Sequence, residues 1–262
     1  MNELVLYRHQ GSAAIITLNR PEKRNALCRE LIQALTRAFQ KAQVDDQARA
    51  VILTGNGSAF CAGMDLEELR STLDANSEII WNDALALSTL FDLIYRLPKP
   101  TIAAVNGHAV AGGAGLMTIC DCALSVPEAK MGYPEVRLGL VAAIVLPHLL
   151  RHVGERFARY LLLTGELVDA NQARGHGLIN ETVPAEKLMD RALEIAESFA
   201  KGGPHALAVT KQLLAQYSKQ AESVEAAAHA SAAPRLGEEC RAGLNAFFSK
   251  QMAPWVKADS VR

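Results

Sequence analysis

An α/β layer fold with crossover connections is the architecture that this sequence of 262 residues predicts. Three observations carry that prediction. Short β-rich runs alternate with amphipathic helical stretches as far as Val183, the strand signals then stop, and the remaining chain reads as helices rich in alanine. With half of its residues apolar, the chain is able to bury one large core.

The elements follow in order. Leu4-Val-Leu-Tyr and Ala14-Ile-Ile-Thr-Leu flank Gln10-Gly-Ser, which predicts an opening hairpin. After the basic loop Arg20-Pro-Glu-Lys-Arg-Asn, residues Leu27, Leu31, Leu35, Phe39 and Ala42 keep helical spacing. Ala50-Val-Ile-Leu-Thr reads as a buried strand ended by Gly55-Asn-Gly-Ser. Ile80, Ala84, Leu87, Phe91 and Ile94 mark a long helix that Pro98 and Pro100 stop. Thr101-Ile-Ala-Ala-Val is a further strand, turned by Asn106-Gly107 into the small-residue segment 109–115. Beyond Val183 the segments 184–201, 204–220, 221–233 and 236–250 all read as helices, two of them opened by Pro184 and Pro204.

Composition excludes several classes of function. Lys and Arg total 27 against 28 Asp and Glu, so no general field draws the chain to nucleic acid or anionic lipid. The most apolar stretch, 138–150, falls short of the roughly 20 residues a bilayer span needs, and no membrane contact is expected. The first residues lack a secretory pattern, and five scattered cysteines form no disulfide framework, so the expected location is the cytoplasm. Cys120 and Cys122, or His148 and His152 near Glu155, lack the further ligands a metal site requires, and no metal is expected.

Three segments are able to carry chemistry. Phe60-Cys-Ala-Gly-Met-Asp-Leu and the stretch 105–116, with Gly112-Gly113, each run from a strand through a turn into a helix start, where N–H groups have no partner within the helix. Two such starts facing each other would donate to one developing oxyanion. Met131-Gly-Tyr-Pro-Glu sets Glu135 before an apolar run that would desolvate its carboxyl and raise its pKa. Singly, each has a plainer reading: glycines for tight packing, and a surface Glu135 paired with Arg137. The glycine spacing fits neither a dinucleotide fingerprint nor a phosphate loop, and no nucleophile elbow is present.

Taken together and in order, these segments resemble the crotonase family, the enoyl-CoA hydratase/isomerase superfamily. The likeness runs through Arg20-Pro-Glu-Lys-Arg-Asn-Ala-Leu, Ala59-Phe-Cys-Ala-Gly-Met-Asp-Leu, Ala104-Val-Asn-Gly, 131–139, Leu163-Thr-Gly-Glu and Gly175-His-Gly-Leu-Ile-Asn to Gly243-Leu-Asn-Ala-Phe-Phe-Ser-Lys. It implies a spiral of ββα units over 1–200 and a helical region over 201–262 that assembles a homotrimer or a dimer of trimers. It implies a coenzyme A thioester as substrate, with no permanently bound cofactor. The thioester oxygen would rest on the N–H groups of Met64 and Gly112 while Glu135 moves protons. Coenzyme A contacts map onto Lys23, Arg24, Ala26 and the backbone at Ala62, Met64, Asp65 and Leu66, with Phe247 and Lys250 reaching the nucleotide end from a neighbouring subunit. His108, Gly113, Gly115, Tyr133 and Pro134 are expected around the acyl pocket.

One departure from the family pattern stands out. A typical hydratase of the family has two glutamates, and where the first belongs this chain has Gly115. Leu140-Val-Ala-Ala-Ile-Val-Leu-Pro also replaces a glycine-rich stretch, which predicts a bulkier, more apolar pocket. Together these features resemble the bacterial methylglutaconyl-CoA hydratase branch. The expected activity is hydration or dehydration of a branched or substituted 2-enoyl-CoA. Alternatives are a Δ3,Δ2-enoyl-CoA isomerase using one glutamate, a decarboxylation or C–C cleavage through the same enolate, and a non-catalytic acyl-CoA binder.

Overall fold

A computed structural model of the chain describes residues 3–73, 76–218 and 224–255. Strands β1 (Val5–Gln10) and β2 (Ala13–Leu18) form the predicted antiparallel hairpin, with Val5 opposite Leu18 and Gln10 opposite Ala13. Helix α1 (Arg29–Val44) buries Leu31, Leu35, Phe39 and Ala42, the stripe given by their spacing.

One pattern then repeats. β3 (Ala50–Gly55) leads to β4 (Ala59–Cys61), α2 (Leu66–Ser71) and α3 (Ser77–Tyr95). β5 (Thr101–Val105) leads to β6 (His108–Val110) and α4 (Gly112–Thr118), and β7 (Cys122–Ser125) to β8 (Lys130–Gly132) and α5 (Leu146–Thr164). The chain closes the pattern with β9 (Val168–Asp169), α6 (Ala170–Gly175) and β10 (Glu181–Thr182), followed by α7 (Leu188–Ala200), α8 (Pro204–Tyr217), α9 (Val224–Ala232) and α10 (Glu238–Phe248). The first strand of each repeat enters a six-stranded sheet ordered β1-β2-β3-β5-β7-β10, and the second enters a four-stranded sheet ordered β4-β6-β8-β9. Each ββα unit therefore advances both sheets by one strand, which is a spiral.

Burial explains the sequence pattern. β3 and β5 are buried on both faces, so they read as continuous apolar runs without alternation. The C-terminal helices fold back over the chain: Ala228 and Ala232 of α9 pack on Ile80 and Ala84 of α3, and Cys240 and Leu244 of α10 pack with Leu69. A 3-10 turn, Ala185–Lys187, precedes α7 where a helix from Pro184 was expected. The expected helix limits at Gln220 and Ala221 lie outside the described residues. Among the described residues no helix is long and apolar enough to cross a membrane.

The loop before α1 is fastened by one side chain. Asn25 is fully buried and left-handed, with φ 56°, a conformation asparagine tolerates better than most residues. Its Oδ1 accepts from the Arg20 N–H at 2.9 Å, and its Nδ2 donates to the carbonyls of Asn56 at 2.9 Å, Ala59 at 2.9 Å and Phe60 at 3.1 Å. Arg20 in turn bonds Asp65 at 2.6 Å. These ties hold residues 20–27 against the entry and exit of β4. Asn25→Ala strands buried carbonyls, and a loss of roughly 2–4 kcal/mol is expected from urea unfolding. A loss under about 0.5 kcal/mol, the size of an ordinary surface change, would contradict this fastening.

Candidate active site

The site begins with an alternation in an extended chain. The Leu27 N–H donates to the Gly63 carbonyl at 2.7 Å, and the Asp65 N–H donates to the Leu27 carbonyl at 2.9 Å. Met64 lies between those bonds, so its own N–H faces away from Leu27, and among the described residues it meets no protein acceptor. Gly63 permits the turn with φ 87°.

Gly112 supplies a second free amide. It is the first residue of α4, where an N–H has no acceptor inside the helix. Ala111 before it sits at φ 52° and ψ −125°, a strained conformation for a residue with a Cβ. Its N–H is held by the Gly132 carbonyl at 2.8 Å, so β8 fixes the strained turn from outside. The segments approach closely: a Cβ on Gly63 would lie 2.8 Å from the Val110 carbonyl oxygen and 3.3 Å from the Gly112 nitrogen. A Cβ on Gly112 would lie 4.0 Å from the Met64 nitrogen.

Glu135 is set by the 3-10 turn Pro134–Leu138, which follows β8 and ends at Gly139 with φ 69°. Its Oε2 is buried with no hydrogen-bond partner. Burial pushes the carboxyl pKa up from 4.5 to about 7, only partly offset by its own backbone N–H. Arg137 does not pair with it; that guanidinium donates to the Thr164 carbonyl at 3.3 Å.

Met64, Gly112 and Glu135 line one cavity of about 350 Å³ with Leu87, Phe91 and Val141. Ala62, Leu66, Pro134 and Phe247 line it too. Phe247 does so from within this same chain.

Other expected residues lie elsewhere. His108 is exposed, because β6 alternates and turns Ala109 inward; its Nδ1 accepts from the Lys130 N–H at 3.0 Å. Tyr133 is a core residue, its hydroxyl 2.5 Å from the Thr118 hydroxyl. Gly113 serves packing, since a Cβ there would fall 2.2 Å from the Cys61 carbonyl oxygen. Asp65 caps α2 by accepting from the Glu67 and Glu68 N–H groups, and its own amide is taken by Leu27. Ala26 is buried within the 20–27 loop, whereas Lys23, Arg24 and Lys250 are exposed, with Lys23 paired to Glu67 at 2.7 Å.

Gly115 faces neither solvent nor the cavity. A Cβ there would meet the Phe91 ring at 2.7 Å and 2.8 Å and Val145 at 3.5 Å, so aromatic carbon fills the place beside it. Glu67 and Glu68 are directed elsewhere, to Lys23 and to the Arg29 amide. In the sequence Phe91 is legible only as a core position of α3, and Asp83 and Arg235 carry no mark of a role. Both of those charged residues line the cavity. Their only signal was a charge inside a helical apolar pattern, which is common on solvated faces.

Cys28, Glu30 and Glu68 bring potential ligand atoms within 4.8 Å of one another. Glu68 is already engaged by Arg29, and burial raises the Cys28 thiol pKa, which disfavours the thiolate a metal needs. Cys61 and Cys120 are also buried, their pKa values pushed up to about 12, as inert thiols should be.

Comparison with known proteins adds an independent line. A family described as enoyl-CoA hydratase/isomerase matches residues 8–258. A Thermus thermophilus protein carrying an enoyl-CoA hydratase name is 43% identical over 244 residues, 92% of this chain and 96% of that one. The 2,3-dehydroadipyl-CoA hydratase of Escherichia coli is 33% identical over 96% of this chain and 97% of its own length. The crystal structure of an enoyl-CoA hydratase/isomerase from Xanthobacter autotrophicus superposes with a TM-score of 0.87 at 30% identity, covering 98% of this chain and all of that one.

The raised pKa of Glu135 has a consequence for stability. Between the ordinary carboxyl value of 4.5 and about 7, the folded chain holds a proton that the unfolded chain has released. Stability therefore falls as pH rises through that window. Glu135→Gln removes the effect, and the variant should gain roughly 1–3 kcal/mol over the parent between pH 5 and pH 8, read from urea midpoints. A difference between the two proteins that stays constant with pH would exclude a desolvated carboxyl at this position.

Proposed function

Because the chain belongs to the enoyl-CoA hydratase/isomerase family, we propose that it hydrates a branched or otherwise substituted 2-enoyl-CoA, and that Met64, Gly112 and Glu135 carry the reaction. The observation that carries this reading is a buried, unpartnered carboxylate oxygen lining the same cavity as two free amides.

The chemistry follows from what each group is able to do. The thioester carbonyl accepts hydrogen bonds from the Met64 and Gly112 N–H groups. Ionised Glu135 takes a proton from water as its oxygen bonds C3 of the enoyl group, and negative charge passes to the thioester oxygen as an enolate. Donors fixed in advance stabilise that charge without reorganising, which is where such sites gain most of their rate. Glu135, now protonated, returns its proton to Cα, so one molecule of water is added and the carboxylate is restored. A pKa of about 7 suits a group that must both accept and give a proton near neutrality.

Coenzyme A is here part of the substrate, and no separate cofactor enters the scheme. Ala62, Leu66 and Phe247 would meet its pantetheine arm, with Lys23, Arg24 and Lys250 towards the phosphates. The cavity wall of Leu87, Val141 and Ile144 supports a bulky acyl group. Assembly as a homotrimer or dimer of trimers fits the exposed Leu213, Leu214 and Tyr217 of α8.

A second reading has its own support. With Gly115 in place of a glutamate and Phe91 against it, position 115 offers Glu135 no partner carboxylate. A Δ3,Δ2-enoyl-CoA isomerase needs only one base, which removes a proton from Cα and returns it to C4. Crotonyl-CoA, 3-methylglutaconyl-CoA and a 3-enoyl-CoA separate the two by product mass. Gain of one water is the expected result, whereas conversion at constant mass of the 3-enoyl-CoA alone would overturn hydration in favour of isomerisation. Glu135→Gln should lower kcat by about 10²–10⁴-fold while acyl-CoA affinity stays within a few-fold. Unchanged turnover in that variant would remove Glu135 from the mechanism.

A further inference from the structure

Two hollows meet beneath α3. The acyl cavity shares Met64, Leu69, Asp83 and Arg235 with a second hollow of about 370 Å³. The two differ in character: Leu66, Ala84, Leu87 and Phe91 belong to the acyl cavity, whereas Arg29, Gln33, Glu68 and Asn82 line the other. Along α3, Phe91 and Asp83 stand two turns apart, about 12 Å at the rise of an α-helix. The apolar plug beside Gly115 and the charged pair thus occupy opposite ends of the face that α3 turns to the acyl group.

Arg235 sits at the junction and is only 8% exposed. Its Nη2 meets the Thr72 hydroxyl oxygen at 3.2 Å and Asp83 Oδ2 at 3.3 Å, and its Nη1 meets the Ile80 carbonyl at 3.4 Å. All three contacts are long. Asp83 is bound more closely by Arg29, at 2.6 Å and 3.0 Å. Among the described residues the Arg235 Nε–H has no acceptor, although it is buried. A native chain rarely buries a guanidinium donor unpaired, because the lost hydration is not returned.

We propose that the acyl group this site takes carries an oxygen acceptor at the end remote from the thioester, and that Arg235 receives that oxygen, its buried and unpaired Nε–H brought to the ligand by a rotation that its three long contacts permit. The proposal rests on the acyl-CoA reading above and narrows it. Two cations, Arg29 and Arg235, stand with two carboxylates, Asp83 and Glu68, so the surroundings ask for an acceptor without requiring a net charge. A distal hydroxyl and a distal carboxylate both satisfy the donor. A plain hydrocarbon tail leaves it unpaired and gains nothing from the polar hollow.

Saturated ligands test this without turnover. Hexanoyl-CoA, 6-hydroxyhexanoyl-CoA and adipoyl-CoA have the same chain length, and their affinities are to be measured by titration calorimetry with the parent protein and with Arg235→Met. The expected result is that at least one oxygenated ligand binds the parent about tenfold or more tightly than hexanoyl-CoA, a preference that falls to near one in R235M. Gain by adipoyl-CoA alone would assign a carboxylate, and gain by both a neutral oxygen. Hexanoyl-CoA binding the parent as tightly as either oxygenated ligand would overturn the proposal, and that holds even if R235M fails to fold. A preference that survives in R235M would overturn it too. If the preference is found while the unsaturated counterparts show no turnover, the hydratase reading falls and the acyl specificity stands.

Discussion

The whole site depends on how closely two turns of the spiral approach each other. Residues 61–64 and 110–113 belong to successive ββα units, and their backbones come together at Gly63, Gly112 and Gly113. A Cβ on Gly63 or Gly113 would strike the carbonyl oxygens of Val110 or Cys61. Glycine at those points is what lets two amides from different units share one small volume. The orientation is imposed from outside: Leu27 takes both neighbours of the Met64 amide, and Gly132 holds Ala111 in its strained turn. Free donors of this kind are costly in a folded chain, and here the packing of the spiral maintains them.

Once the amides are fixed, burial sets the chemistry of Glu135. The turn that carries it follows directly from β8, the same strand whose Gly132 holds Ala111, so the Gly112 amide and the Glu135 carboxyl have a common anchor. The apolar wall of the cavity desolvates the carboxyl and raises its pKa to about 7. Phe91 contributes to that wall and also fills the face of Gly115, so the apolar wall and the lack of a carboxylate at position 115 go together. A glutamate at 115 would need the aromatic ring to withdraw, and the desolvation of Glu135 would weaken with it.

Much of this was legible in the sequence, for reasons that explain where legibility ended. Continuous apolar runs gave β3 and β5 because both faces of those strands are covered, and helical spacing gave α1 and α3 because each has one buried stripe. The second sheet was not distinguishable, since β4, β6, β8 and β9 have two or three residues each, too few for any period to register. Met64, Gly112 and Glu135, which the structure brings to one cavity, stand out in the sequence because turns, small residues and a proline mark the chain locally. His108 and Tyr133 were misjudged because their neighbours in sequence belong to the site, while strand alternation and core packing direct these side chains elsewhere. Arg235 was invisible, because its burial arises from contact with Ile80, Thr72 and Asp83, more than 150 residues away in the chain.

That long-range contact also shows how the helical C-terminal region bears on the site. α9 lies on α3 through Ala228, Ala232, Ile80 and Ala84, and the 3-10 turn that follows it, Ala233–Leu236, delivers Arg235 beside Asp83. Small side chains at that contact bring the helices close enough for the guanidinium to reach under α3. α10 then covers Leu69 and places Phe247 at the cavity wall. The spiral provides Met64, Gly112 and Glu135, whereas the returning helices add Arg235 and Phe247 to the wall of the same cavity. Variation in the C-terminal helices could therefore change which acyl group is held while leaving the reacting atoms where they are. A buried arginine in that wall is poorly explained by stability alone, since an apolar residue of similar volume would pack without an unpaired donor.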